Sequence, residues 1–428
     1  MSSSSAGFDK SLTNAARRDN ALSLLFFFCA AIAFVMRFVI SPQMMNLVVE
    51  YTTEIGAFYE KLHFGTYAVF LLLPLVLFSR PFQLRADEIG KFQALVRYSA
   101  FMLALVLFLF FTGRAGSSVF LIDTYLVTGA AGLIMLALNA QVRRLLGDVT
   151  LALTILSALV GTIEAVTLHR IMLYEAVELQ FRPVGLSEHP LALGAWCATA
   201  IGFVVLTRWP TWARVASIFI LFVGAAASGA RMALLVTVVE IFVLIAFLQW
   251  PRLSPRHERQ AKVFVLLATA VVGAILISIM FAAGLLSRFS STLFDDNFFV
   301  RVSIYDVFKY VSFEQIMFGM NAVDLVEIVT EKLNLPTIES AQVVILLLFG
   351  LPVAILFAWL LFWMIWRMLR HADFGARIGV VATLLAALSN NTLSSKTPMV
   401  MMMIVLVLAY NSNGIGAAVG QDRAPSGR

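Results

Sequence analysis

Charge is what this chain has least of. Only 13% of its 428 residues are Asp, Glu, Lys or Arg, against 61% hydrophobic. A soluble domain carries about a quarter charged residues, so an ordinary water-facing surface is excluded. Cysteine is nearly absent too. Cys29 and Cys197 both sit within apolar runs, which excludes a disulfide framework or a Cys-based metal site and leaves them as small packing residues. Neither a Gly-rich phosphate loop nor a dinucleotide-binding fingerprint occurs. The alternating apolar–polar pattern of a membrane barrel is missing, and no internal repeat is visible.

What is present is a series of long apolar runs. They fall at 21–40, 64–79, 98–113, 117–139, 149–168, 190–207, 213–229, 232–249, 263–286, 341–366, 378–391 and 397–411. Runs of roughly 18 or more apolar residues cross a bilayer as helices. In lipid the backbone must satisfy its own hydrogen bonds, so repeated runs mean a helical bundle. The expected fold is an all-α polytopic membrane protein of about 12 transmembrane helices. Residues 1–20 read as a polar, frayed tail, 21–286 as the first nine helices, 287–340 as one large structured loop, 341–411 as the last three helices and 412–428 as a second tail. Ala31-Ile32-Ala33 resembles a signal-peptide cleavage site, but the apolar run continues past it, so an uncleaved first span is expected.

Lys and Arg divide unequally between alternate loops. One set, running from Lys10, Arg17 and Arg18 through Arg85, Arg143, Arg214, Arg259 and Arg370 to Arg428, holds 20 of the 31 basic residues in the shorter total loop length. Basic loops stay in the cytoplasm, which places both termini inside and the large loop outside. The formal charge of +6 is thus a topology signal with attraction to anionic lipid headgroups. It forms no nucleic-acid patch, since no basic segment interleaves with aromatics.

Two outer segments gather the unusual residues. Leu168–Pro190 holds His169, Arg170, Tyr174, Glu175, Glu178, Arg182, Glu188 and His189. Ser287–Ser340 holds four basic residues, among them Arg288 and Arg301, against eight acids. Its Phe298, Phe299, Tyr305, Phe308, Tyr310, Phe313 and Phe318 supply apolar material to bury. Asn321 reads as a helix N-cap with Asp324 three residues on. Leu325, Ile328, Val329 and Leu333 then share one helical face, which Pro336 ends. Two short helices over the outer mouth are expected, either as a lid or as part of a site.

Arginine near hydrocarbon is costly and usually paired or functional. Arg37, at the outer end of the first span, is explained by snorkelling to the interface. Arg231 lies in Ala227-Ser228-Gly229-Ala230-Arg231, a tight outer turn whose small residues let a ligand approach. Arg182 precedes Pro183-Val184-Gly185, and Arg301 lies one turn before Tyr305. A guanidinium presents rigid bidentate donors to phosphate and stays charged. Several on one diphosphate would stabilise it as a leaving group. Glu164 sits near the outer end of its span and could join this cluster. Glu240 sits mid-span and needs a buried partner or a proton.

Three stretches carry a family likeness. They are Arg182-Pro183-Val184-Gly185-Leu186-Ser187-Glu188-His189-Pro190-Leu191, Ser228-Gly229-Ala230-Arg231, and Arg301 with Tyr305 followed by Phe318-Gly319-Met320-Asn321. Over roughly residues 150–365 the chain resembles the O-antigen polymerase/ligase superfamily of bacterial surface-polysaccharide assembly. The resemblance implies a metal-independent glycosyltransferase without cofactors, acting on an undecaprenyl-diphosphate-linked glycan. A polymerase extends another lipid-linked repeat; a ligase transfers the glycan to lipid A core. A chain-length regulator and a flippase are the implied pathway partners. By this likeness Arg182, Arg231 and Arg301 hold the diphosphate, supported by Ser228, Tyr305 and Arg288. Glu188 and His189 are candidate general bases, and His189 beside Pro190 equally suits a helix start.

The chain departs from the family where the large loop re-enters the membrane. Glu339-Ser340-Ala341-Gln342 stands where many members, ligases especially, have a His-Asn pair. Glu339 could serve as base there, or none is needed. The departure favours polymerase over ligase. A flippase or transporter is the competing class. It would bind near the midplane, often between repeated halves, whereas most unusual charges here lie at the outer face.

Overall fold

In a computed structural model the described residues are 4–52, 57–79, 82–174, 181–250, 253–282, 302–335, 338 and 340–411. Among them the chain is helical and contains no strand. The order is α1 (Ser4–Val39), α2 (Pro42–Asn46), α3 (Phe64–Ser79), α4 (Ala86–Phe111), a π-helical turn (Leu121–Leu126) running into α5 (Val127–Ala137), and α6 (Ala140–Thr167). There follow α7 (Pro190–Val204), α8 (Thr211–Ala227), α9 (Arg231–Phe247) and α10 (Pro255–Ala282). A 3-10 helix (Ile304–Lys309), α11 (Phe313–Phe318) and α12 (Ala322–Glu327) come next, then α13 (Ala341–Phe349), α14 (Leu351–Leu369), α15 (Phe374–Leu388) and α16 (Met399–Ala409).

This is a membrane-embedded helical protein. Five helical segments are long and apolar enough to cross a bilayer: Asn20–Val39, Ala86–Phe111, Ala140–Thr167, Pro255–Ala282 and Leu351–Leu369. Shorter apolar helices, α3, α7, α8, α15 and α16 among them, pack with these. Leu71 and Phe78 on α3, Phe264 and Leu267 on α10, and Trp359 and Trp366 on α14 face outward. In water such a surface would aggregate; against hydrocarbon it is ordinary solvent contact. α7 and α16 are wrapped by their neighbours and form the core.

Contacts sort the loops onto two ends. At one, Arg143 pairs with Glu88 at 2.6 Å, Arg144 donates to the Leu206 carbonyl, and Arg214 to the Val205 carbonyl. This basic end gathers the starts of α4, α6 and α8 with the finish of α7. At the far end Arg114 donates to the Phe318 and Leu348 carbonyls, and Lys396 reaches the segment between α2 and α3. Helix α4 joins the two ends, running from Ala86 at the basic end to Phe111 beside Arg114 at the far end.

Several expectations need correction. Helix α1 begins at Ser4, so the polar head continues the first helix instead of fraying. The run 341–366 is two helices broken at Gly350, which adopts φ 84°. A Cβ there would lie 2.4 Å from the Met317 carbonyl oxygen, so α11 packs where a continuous helix would pass. Of the described aromatics in the large loop, Phe308 packs against the core, whereas Phe313 and Phe318 are 77% and 71% exposed. Ile304, Val307, Met320, Leu325 and Val329 are buried instead, because they face inward across the short helices. Ile328 and Leu333 pack against this core. Asn321 does occupy the N-cap of α12, though its side chain makes no cap bond. Phe298, Phe299 and Pro336 lie outside the described residues.

Candidate functional site

The segment before α7 folds back into the bundle. Helix α6 stops at Leu168, which adopts φ 53°. Further on, Val184 and Gly185 donate their backbone N–H groups to Glu164, each at 2.8 Å, and Ile171 donates to its other oxygen at 2.8 Å. One buried carboxylate therefore fastens both arms of the loop. Leu186 donates to the Ser157 hydroxyl at 3.0 Å, a position about 15 Å down α6 from its end. Gly185 makes this descent possible: its φ is 58°, and a Cβ would lie 2.3 Å from the Ser157 carbonyl oxygen. Gly185→Ala is expected to cost about 1–3 kcal/mol in backbone conformation alone, with further loss from the clash. A lower thermal midpoint in detergent and new proteolytic cleavage in the loop would register it.

The descent sets three of the sequence candidates. Arg182 is buried and its Nε donates to the Ser228 carbonyl at 3.3 Å. Ser228 closes α8, its hydroxyl donating to the Ala225 carbonyl and accepting from the Ala230 N–H. Arg231 opens α9 directly after. Arg182 and the turn that carries Arg231 therefore meet, while the Ser228 hydroxyl is spent on shaping that turn. His189 is the N-cap of α7: its Nδ1 accepts from Leu191 N–H at 3.1 Å, with Pro190 in the first helical position. The helix-start reading of His189 accounts for that nitrogen.

Glu188 joins this loop to a second buried cluster. Burial raises its carboxyl above the ordinary range, while a hydrogen bond with the Thr397 side chain and the charge of Arg37 act in the opposite sense. Arg37 does not snorkel. It is 2% exposed and donates Nη2 to the Asp123 carbonyl at 2.9 Å. The π-helical turn Leu121–Leu126 carries Asp123, and such turns recur at functional sites. The Asp123 carboxylate accepts from Tyr51 Oη at 2.9 Å and from the His63 N–H at 3.1 Å.

Lys396 completes the cluster. It donates to the Tyr51 carbonyl at 2.6 Å and the Lys61 carbonyl at 3.0 Å, over the Tyr51 ring. Thr124 donates to the Ser395 carbonyl and accepts from the Thr397 N–H. Burial lowers Lys396 to about 8 and His63 to about 3, Arg37 adding to the effect on both. His63 is therefore neutral; its Nδ1 accepts from the Gly65 N–H and its Nε2 lies 2.8 Å from the Ile40 carbonyl.

Two contacts tie the candidates together: Arg182 meets the turn that leads into Arg231, and Glu188, six residues on, lies within reach of Thr397 and the charge of Arg37. Arg288, Arg301 and Glu339 lie outside the described residues. Tyr305 lies in the 3-10 helix and is 53% exposed. The Phe318–Asn321 stretch docks at the α13–α14 break, Met320 N–H donating to the Leu347 carbonyl at 2.8 Å. Among the described residues no three His, Cys, Asp or Glu side chains gather as a metal site.

Sequence reasoning missed Tyr51, His63, Asp123, Lys396 and Thr397. Asp123 had a readable signal: it is a lone acid inside the apolar run 117–139, and an intramembrane acid is a site candidate by default. No protein-family model matches the chain, and no curated protein does.

Proposed function

We propose that this protein is a polymerase of lipid-linked glycans, working at the periplasmic face of a bacterial inner membrane. In this reading twelve helices cross the bilayer, the basic end and both termini are cytoplasmic, and the far end faces the periplasm. The observation that carries it is the convergence of Arg182 on the Ser228–Arg231 turn, with Glu188 following on the same inward-folded loop.

The chemistry follows from those groups. A polyprenyl diphosphate-linked glycan is the donor, its diphosphate held by Arg182 and Arg231. Glu188, as carboxylate, takes the proton of an acceptor sugar hydroxyl. That oxygen attacks the anomeric carbon of the donor sugar, and the bond to the diphosphate breaks with its electron pair. The product is a lengthened lipid-linked glycan plus free polyprenyl diphosphate, whose growing charge the guanidiniums stabilise in the transition state. His189 positions the start of α7 and thereby Glu188.

Reconstitution with a defined lipid-linked oligosaccharide tests the reading. A ladder of longer lipid-linked products is expected. Transfer only to an added lipid A acceptor would make it a ligase, and movement across the bilayer without new linkages a flippase.

A further inference from the structure

Glu240 is the most anomalous side chain outside the site. It lies in the middle of α9, about 13 Å from the helix start, and is 3% exposed. Neither carboxyl oxygen makes a well-formed hydrogen bond among the described residues, although the Gly202 backbone lies close enough to act on the acid, and the hydroxyl of Thr237 one turn before it has no partner there either. Helix α9 packs there against α7 and α15. Those two helices touch backbone to backbone: a Cβ on Gly202 would lie 2.5 Å from Gly379 N and 2.6 Å from the Gly375 carbonyl oxygen. One turn away Thr383 donates to the Thr199 hydroxyl at 2.9 Å. The pocket around Glu240 therefore consists of hydroxyls, helix backbone and apolar side chains.

Among the described residues no charged neighbour acts on Glu240. The ionisable residue of α7 is Cys197, which packs near Gly224 of α8. Arg377 of α15 and Arg214 of α8 lie in first turns at the basic end, as do Arg256, His257, Glu258, Arg259 and Lys262 in the opening turns of α10. An ionised carboxylate enclosed without a cation is among the costliest arrangements in a membrane interior. The neutral acid avoids that cost and keeps an O–H to donate within the crossing.

We propose that Glu240 is an intramembrane proton-binding site, occupied at neutral pH, which holds α9 against α7 and α15. The site is independent of the polymerase reading, yet it bears on the residues that reading uses. Helix α7 begins immediately after Glu188 and His189, and α9 begins with Arg231. Loss of the proton would place an uncompensated charge between the two helices that carry those residues.

A cavity of about 1280 Å³ between α8, α9 and α10 is lined by Val238 and Ile241 of α9 and by Ile201 of α7, so an apolar reagent can lodge beside the helices that enclose Glu240. A membrane-permeant carbodiimide reacts with protonated carboxylic acids, so the experiment is labelling of the full-length protein in vesicles with dicyclohexylcarbodiimide, read by mass spectrometry. An adduct on Glu240 is expected at neutral pH, equal in sodium and potassium buffers. It should fall about tenfold per pH unit once the acid ionises. Glu240→Gln, a neutral isostere, should lose the adduct and keep the wild-type thermal midpoint. Absence of the adduct at neutral pH would overturn the proposal, and so would protection by sodium, which would indicate a carboxylate holding a cation. The wild-type labelling decides the matter even if the Gln variant does not fold.

Discussion

Arg182→Ala and Arg231→Ala are each expected to lower polymer formation by about two to three orders of magnitude, the usual cost of removing one preorganised donor to developing charge. Arg182 Nε is already engaged with the Ser228 carbonyl, so its guanidinium is held in place at the turn that leads into Arg231. Lys at either position keeps charge but loses the planar fork, so Arg→Lys should recover only part of the loss. Truncating Arg182 also removes the tie to Ser228, so insertion and thermal midpoint must be measured beside product ladders. Normal turnover in both Ala variants would dismiss the diphosphate clamp.

Glu188→Gln is the second large effect. Removing a general base costs about 10²–10⁴ in rate, here with unchanged donor binding, because the clamp is untouched. The pH dependence has a sign that distinguishes a base from a structural acid. Burial raises the Glu188 carboxyl, and only its ionised form accepts a proton. Turnover should therefore rise with pH through a window above the ordinary carboxyl range. Stability should move the other way. Between the ordinary and the raised value the folded protein holds more protons than the unfolded chain, so Glu188's contribution declines as pH rises. An acidic limb that persists in Glu188→Gln would exclude Glu188 as its origin.

Much of the fold was legible because a bilayer imposes length and apolarity together. The runs at 64–79 and 190–207 became α3 and α7 with edges shifted by at most a few residues. What stayed hidden was irregular backbone inside an apolar run. Gly350 breaks a stretch whose hydropathy is continuous, and its positive φ depends on α11, a partner distant in sequence. The π-turn at Asp123 left no periodic trace in the run around it.

The site was half legible for a related reason. Arg182 and Arg231 stood out because small and turn-forming residues surround them. Lys396 and Thr397 lie between two late spans and gain meaning only when α16 returns to the centre of the bundle. Arg37 was misjudged because position along a helix says nothing about which neighbour covers it. The Asp123 carbonyl that receives it lies 86 residues away.

The shortness of α7 has a further consequence. Fifteen residues rise about 22 Å, against a hydrocarbon layer of about 30 Å. The missing length, about 8 Å, falls to the irregular backbone at its ends, and before Pro190 that backbone is held inside the bundle by Glu164 and Ser157. In the proposed reaction, a headgroup that reaches this backbone would be worked on away from bulk water and from competing hydrolysis.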